Sequence, residues 1–198
     1  MTNSEAYLNV RNRLKDEVGN IIDNLVILYP GAGGGYWALA RLLFPVIESI
    51  GSLKYGNRST SKNLTDIFEN ELACVNPKYA SYSQVIAQMY RNSLIHQDEL
   101  RSISYEGKII HWSVKLNIPS ENLVITHRED VGQYWVSLDL TSLYKDLLTV
   151  CNALVDSPNN EAAERYEKWK LQKVTSQDSN TSMVNQLDQI IRPFTGTV

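Results

Sequence analysis

The stretch "YSQVIAQMYRNSLIH", residues 82–96, decides how the rest of the chain is read. Tyr82, Val85, Ile86 and Met89 recur at i, i+3, i+4 and i+7, the spacing of one apolar helical face. The segment is therefore expected to be a core-packed helix, and Arg91, Asn92 and His96 fall at its C-terminal end. Those three residues are either a catalytic group or the polar end of a core helix.

Helical spacing continues on either side. Residues 4 to 27 place Tyr7, Val10, Leu14, Val18, Ile21, Ile22 and Leu25 among charges, which predicts one long amphipathic helix. "YPGAGGGYW" follows, and its proline and glycines must end that helix. A second helix, Tyr36 to about Leu53, is apolar nearly all round and is expected at the centre, with Pro45 as a possible kink. "KYGNRSTSKN" reads as a polar loop from Lys54 to Asn63, leading into a short helix from Leu64 to Cys74.

After the quoted helix the period changes. "GKIIHWSVKL", "NLVITHR" and "GQYWVSLDL" are short runs rich in β-branched and aromatic residues, expected to form a small antiparallel β-meander over about 107–138. Helical spacing resumes at Leu140, Leu143, Tyr144, Leu147, Leu148, Cys151 and Leu154, capped by Asp139 or Thr141. A charged helix from Asn160 to about Val174 comes last. The reading is one domain over 1–175 and a polar, mobile tail over 176–198.

Composition narrows the function classes. With 43% hydrophobic and 21% charged residues the chain is an ordinary globular protein. A net charge of −3 gives no general attraction for polyanions, so any nucleic-acid contact must be local. Cys74 and Cys151 stand far apart with no CxxC and no clustered histidines, which predicts buried, reduced thiols rather than disulfides or zinc. Charges at Glu5, Arg11, Arg13 and Lys15 oppose a signal peptide, and Arg41, Pro45 and Glu48 interrupt the longest apolar run. A cytoplasmic protein without a membrane span is expected.

Several motifs carry less than they first suggest. "GAGGG" before a helix resembles a phosphate loop, but it lacks the Gly-Lys-Ser/Thr ending and the preceding strand. A tight helix–helix connection explains it without a ligand. His111 and His127 have no partner at ligand spacing and read as ordinary surface or half-buried residues, and Asp139 as a cap.

Arg91 and His96 form Arg-x4-His. In a straight α-helix residues five apart differ by about 140° in direction and about 7.5 Å along the axis. Convergence on one site would need the reach of Arg91, a distortion near Ser93, or a second subunit.

"MYRNSLIH" resembles the Arg-polar-x3-His signature of the HEPN superfamily (higher eukaryotes and prokaryotes nucleotide-binding domains). Its setting is similar too: "YWALARLLFPVIESIGSL", "LTDIFENEL", "GKIIHWSV" and "VSLDLTSLYKDLLTVCNAL" surround it, and the resemblance covers residues 4 to 156. It implies a mainly α, HEPN-like bundle of four to five helices, here with the β-meander after the motif helix. It further implies a homodimer in which motif residues of two subunits line one cleft.

Many members are metal-independent endoribonucleases of toxin–antitoxin, antiphage or RNA-processing systems, so the resemblance implies an RNA substrate, an antitoxin or other protein partner, and no cofactor or metal. Others are inactive modules for dimerisation or for binding protein or nucleic acid. Arg91 and His96 would be the catalytic pair, with Asn92 as the polar residue that follows the arginine. Histidine exchanges protons near neutrality, its free pKa being about 6.5, and arginine offers phosphate a planar fork of donors. Asn92 would orient His96 or hold a phosphate oxygen; bonding a free carbonyl at the helix end accounts for it equally well. Arg101, Lys108, Lys115 and Arg128 are the cations available to surround such a site, and Trp112 and Trp135 are expected to be exposed on the sheet.

Overall fold

The computed structural model describes residues 1–28, 36–56, 59–91, 102–116, 125–130, 133–170 and 183–187. The chain divides into two compact units, Met1–Arg165 and Tyr166–Val198. The glycine cluster and the tail "TSQDSNTS" lie outside the described residues.

The first unit is mainly helical with a small mixed sheet. Helix α1 runs on through Asn3–Arg13, Leu14–Gly19 and Asn20–Leu28. It begins on a capping box: Thr2 Oγ1 accepts from the Glu5 amide at 3.2 Å, and Glu5 Oε2 accepts from the Thr2 amide at 2.6 Å. Its middle segment is a π-helix, in which hydrogen bonds reach back five residues instead of four.

The sequence explains this wide turn. Ala6, Val10, Leu14, Val18 and Ile22 are all buried and all four residues apart. In a pure α-helix a four-residue step overshoots a full turn by about 40°, so Ala6 and Ile22 would end about 160° apart. One extra residue in a wide turn takes back about 100°, leaving about 60° and keeping the stripe on the core.

Helix α2, Tyr36–Tyr55, is central as expected, with Leu39, Leu43, Phe44, Ile47, Ile50 and Leu53 sealed from solvent. It ends at Gly56, whose φ of +87° suits glycine and whose amide donates to Ser52 O at 3.0 Å. The Arg165 guanidinium donates to the carbonyls of Leu53 at 2.9 Å and Lys54 at 2.8 Å, satisfying acceptors that the helix end leaves open.

Helix α3 continues through Thr60–Asp66, Ile67–Leu72 and Ala73–Val75, with Ser59 Oγ accepting from the Lys62 amide. It starts four residues earlier than the polar loop suggested, because Ser59 supplies the cap that lets "TSKN" be helical. Leu64, Phe68 and Leu72, again four apart, are buried across its π segment.

Helices α2 and α3 touch backbone to backbone at Gly51. A β-carbon there would lie 2.7 Å from the Asn63 carbonyl oxygen and 2.8 Å from Asn63 Cβ. Gly51→Ala is therefore expected to lower stability by about 1–3 kcal/mol, overpacking outweighing the better helix propensity of alanine. Urea denaturation measures this, and an unchanged midpoint would count against the close approach.

Helix α4 comprises Lys78–Ile86 and the π turn Ala87–Arg91. Its buried face is Tyr79, Ser83, Ile86, Ala87, Met89 and Tyr90, while Tyr82 and Val85 are only half-buried. The buried face is thus rotated away from the 82/85/86/89 stripe toward Tyr79 and Ser83, already within the α-helical part.

The sheet corrects the expected antiparallel meander. Strands β1 (Ile103–Tyr105), β2 (Lys108–Lys115), β3 (Ile125–Asp130) and β4 (Gln133–Asp139) lie in the order β1-β2-β4-β3, with β2 and β4 parallel. Burial accounts for the order. Val136, Ser137, Leu138 and Asp139 are all buried, which suits a central strand, whereas "ITHRED" is charged and suits an edge. β1 joins β2 through Glu106 and Gly107, both at positive φ, the two-residue turn that matches strand twist.

Helix α5, Leu140–Asp156, follows β4 directly, and Asp139 caps it by accepting from the Ser142 amide at 2.7 Å. Between the two caps open in the sequence, the structure takes Asp139. Helix α5 packs along α1, and Arg11 Nη1 donates to Asn152 Oδ1 at 3.1 Å across that contact. Helix α6 is Ala162–Lys170, where Asn3 Oδ1 accepts from the Ala163 amide at 2.9 Å. In the second unit Tyr166 and Trp169 meet edge to face at 5.8 Å, and residues 183–187 form one helical turn.

Candidate functional site

Arg91 is the last described residue of α4. Its side chain, Asn92 and His96 lie outside the described residues, as does Arg101, so the frame holding the motif is what the structure describes. That frame centres on Tyr90.

Tyr90 is buried, and the single proton of its hydroxyl is shared between two backbone carbonyls, Ser113 O on β2 at 2.9 Å and Val136 O on β4 at 3.1 Å. The two strands are themselves tied at that level, since Ser113 and Ser137 are paired in the register and their hydroxyls lie 2.7 Å apart. The Tyr90 ring stacks on Phe44 of α2 at 6.1 Å and meets Trp112 of β2 edge to face at 4.3 Å. Burial raises the pKa of the phenol well above its ordinary value, so it stays a proton donor.

The aromatic contacts continue in both directions. Trp112 meets Trp37 at 4.8 Å, Phe44 stacks on Phe68 at 6.5 Å, and Phe68 meets Tyr79 at 5.6 Å. Helices α2, α3 and α4 and strand β2 are joined through these six rings. Trp112 is 2% exposed, which corrects the expectation of a surface aromatic: Trp112 and Val114 alternate toward the helices, while Trp135 is half-buried.

Tyr79 closes the row by donating to Asp146 Oδ2 at 2.8 Å. Burial raises the Asp146 pKa, opposed by the Tyr79 hydrogen bond and by Lys145. A carboxyl whose folded pKa is raised opposes folding once ionised, so this contribution is most favourable at low pH and declines as pH rises through the folded pKa. Asp146→Asn keeps an acceptor for Tyr79 without the charge and is expected to match or exceed wild-type stability at pH 7, with the relative gain disappearing in acid. Asp146→Ala strands the hydroxyl and is expected to cost about 1–3 kcal/mol. Urea denaturation at both pH values separates the two; an asparagine variant less stable than the alanine variant at pH 7 would overturn the assignment.

The remaining candidates are ordinary. His111 is half-buried, its Nδ1 2.7 Å from Ser102 Oγ and its ring 4.7 Å from that of Trp135. His127 lies on β3 opposite Val136, its side chain outside the described residues. Among the described residues no three His, Cys, Asp or Glu side chains are grouped as a metal would require. Cys151 is buried, its thiol pKa pushed up to about 12 by burial. Cys74 is exposed, against expectation, with Sγ 3.0 Å from Asn70 O: it falls just after the buried Leu72, on the turn facing solvent.

Of the cations expected near the motif, Lys108 and Lys115 are exposed, with Lys108 Nζ 5.3 Å from the Tyr134 ring centre. Arg128 sits on β3 in register with Trp135, its side chain outside the described residues. Among the described residues no helix is long and apolar enough to cross a membrane.

Tyr90 is the residue that sequence reading passed over. Its signal was present: Tyr79, Ser83, Ile86 and Tyr90 recur at i, i+4, i+7 and i+11. No family model, curated protein or solved structure matches the chain.

Proposed function

We propose that the chain is an HEPN-like, metal-independent endoribonuclease of toxin–antitoxin, antiphage or RNA-processing type, acting as a homodimer whose cleft gathers Arg91 and His96 from both subunits. The observation that supports this best is the anchoring of Tyr90, since the residue next to Arg91 is held by a hydroxyl shared between carbonyls of two strands and by two ring contacts. A catalytic side chain needs a backbone fixed to within about 0.5 Å, and this one leaves from such a point.

In the proposed reaction one His96 takes the proton of an RNA 2′-hydroxyl, whose oxygen attacks the adjacent phosphorus. The P–O5′ bond breaks, the second His96 gives a proton to the departing oxygen, and a 2′,3′-cyclic phosphate and a 5′-hydroxyl remain. Arg91 from each subunit neutralises the phosphorane oxygens. Two-fold symmetry supplies acid and base from one motif, so Arg91 and His96 of a single helix need not face the same way.

A non-catalytic HEPN-like module for binding protein or nucleic acid is the second reading. Tyr105 (61% exposed) and Ile109 (49% exposed) at the β1–β2 hairpin favour it. The deciding experiment incubates the purified chain with single-stranded RNAs of mixed sequence in EDTA. Products ending in 2′,3′-cyclic phosphate, and none where the cleaved nucleotide is 2′-deoxy, are expected. Intact RNA throughout would remove the ribonuclease reading and leave the binding module.

A further inference from the structure

We infer that Tyr90 is a positioning residue for Arg91, setting through its hydroxyl the geometry of the π turn from which the arginine departs; this rests on the ribonuclease reading above. The argument is local. A π turn holds one more residue than an α turn and is less favourable by itself, so a short one persists where tertiary contacts impose it. Ala87–Arg91 buries Ala87, Met89 and Tyr90, and of these Tyr90 carries the hydrogen bonding to the sheet.

Its ring is located on two sides by Phe44 and Trp112, which come from different elements. Ring packing alone would still allow the side chain to slide along the stack. The hydroxyl prevents this, because it meets carbonyls on two adjacent parallel strands whose register is fixed from Ile109↔Gln133 to Lys115↔Asp139. The position of the sheet is thereby carried to the Cα next to Arg91. An arginine that must meet a phosphorane is sensitive to such placement, since an error of about 1 Å costs on the order of 100-fold in rate.

The test uses Tyr90→Phe, which keeps the ring and removes only the hydroxyl. Tyr7→Phe is the control, another buried tyrosine whose hydroxyl donates to Asn159 on a different part of the unit. For Tyr90→Phe, kcat for RNA cleavage is expected to fall about 10- to 100-fold with KM within about twofold, and amide exchange over residues 87–91 to accelerate. Tyr7→Phe is expected to keep the wild-type kcat. A wild-type kcat in Tyr90→Phe, or equal losses in both variants, would overturn the inference.

If the wild-type chain cleaves no RNA, the ribonuclease reading fails separately and exchange decides the anchor. Faster exchange over 87–91 in Tyr90→Phe then upholds Tyr90 as the residue that shapes the turn, and unchanged exchange removes it.

Discussion

Replacing His96 with alanine is expected to lower the rate of RNA cleavage in EDTA by about 10²- to 10⁴-fold, the range that general acid–base groups contribute. The upper half of that range is the better expectation, because in the proposed two-fold cleft one substitution removes both the proton acceptor and the proton donor. Arg91→Ala is expected to lose about as much by a different route, leaving the phosphorane charge without its fork of donors. Arg91→Lys separates charge from geometry: it keeps the cation, loses the planar bidentate contact, and is expected to retain only part of the rate. Single-turnover cleavage of one labelled RNA reads all three. Equal rates in wild type and both alanine variants would remove these residues from the chemistry, whatever activity the preparation shows.

Trp112→Ala is expected to destabilise the fold by about 3–5 kcal/mol, the usual cost of emptying a buried aromatic site. The indole touches Tyr90 on α4 and Trp37 on α2 from its own strand β2, so its removal separates sheet from helices at their common point. Set against a total of about 5–15 kcal/mol for a typical domain, this is a large fraction of the stability. For a chain of this length a fall in Tm of about 10 °C or more should accompany it. Trp112→Phe keeps an aromatic face for Tyr90 and should lose much less. Thermal and urea denaturation measure both, and a loss below about 1 kcal/mol for the alanine variant would show that the ring contacts are not what joins sheet to helices.

The helices were legible in the sequence because each carries its own burial pattern. Tyr7 to Ile22, Leu39 to Leu53 and Leu140 to Leu154 repeat apolar residues at helical spacing, and a helix forms its hydrogen bonds within itself. Asp139 was legible as a cap for the same local reason. The wide turns were less so, although the four-residue spacing of Ala6, Val10, Leu14, Val18 and Ile22 is the mark they leave.

Strand order was not legible. The β-branched and aromatic runs marked the strands, but not that Trp112 would face the helices, nor that β4 would insert beside β2 and run parallel to it. A strand's hydrogen bonds go to partners that may lie anywhere in the chain, so pairing is chosen by which strand can be covered on both faces.

By itself, then, the sequence determined the course of the main helices to within a few residues, a run of strands after the motif helix and the presence of one Arg-x4-His motif, since these depend on residues near one another along the chain. Only the tertiary structure decided the mixed sheet, the buried place of Trp112 and the anchoring of Tyr90 across β2 and β4. Those contacts join residues 23 and 46 positions apart, and no local pattern specifies which distant carbonyl a buried hydroxyl will meet.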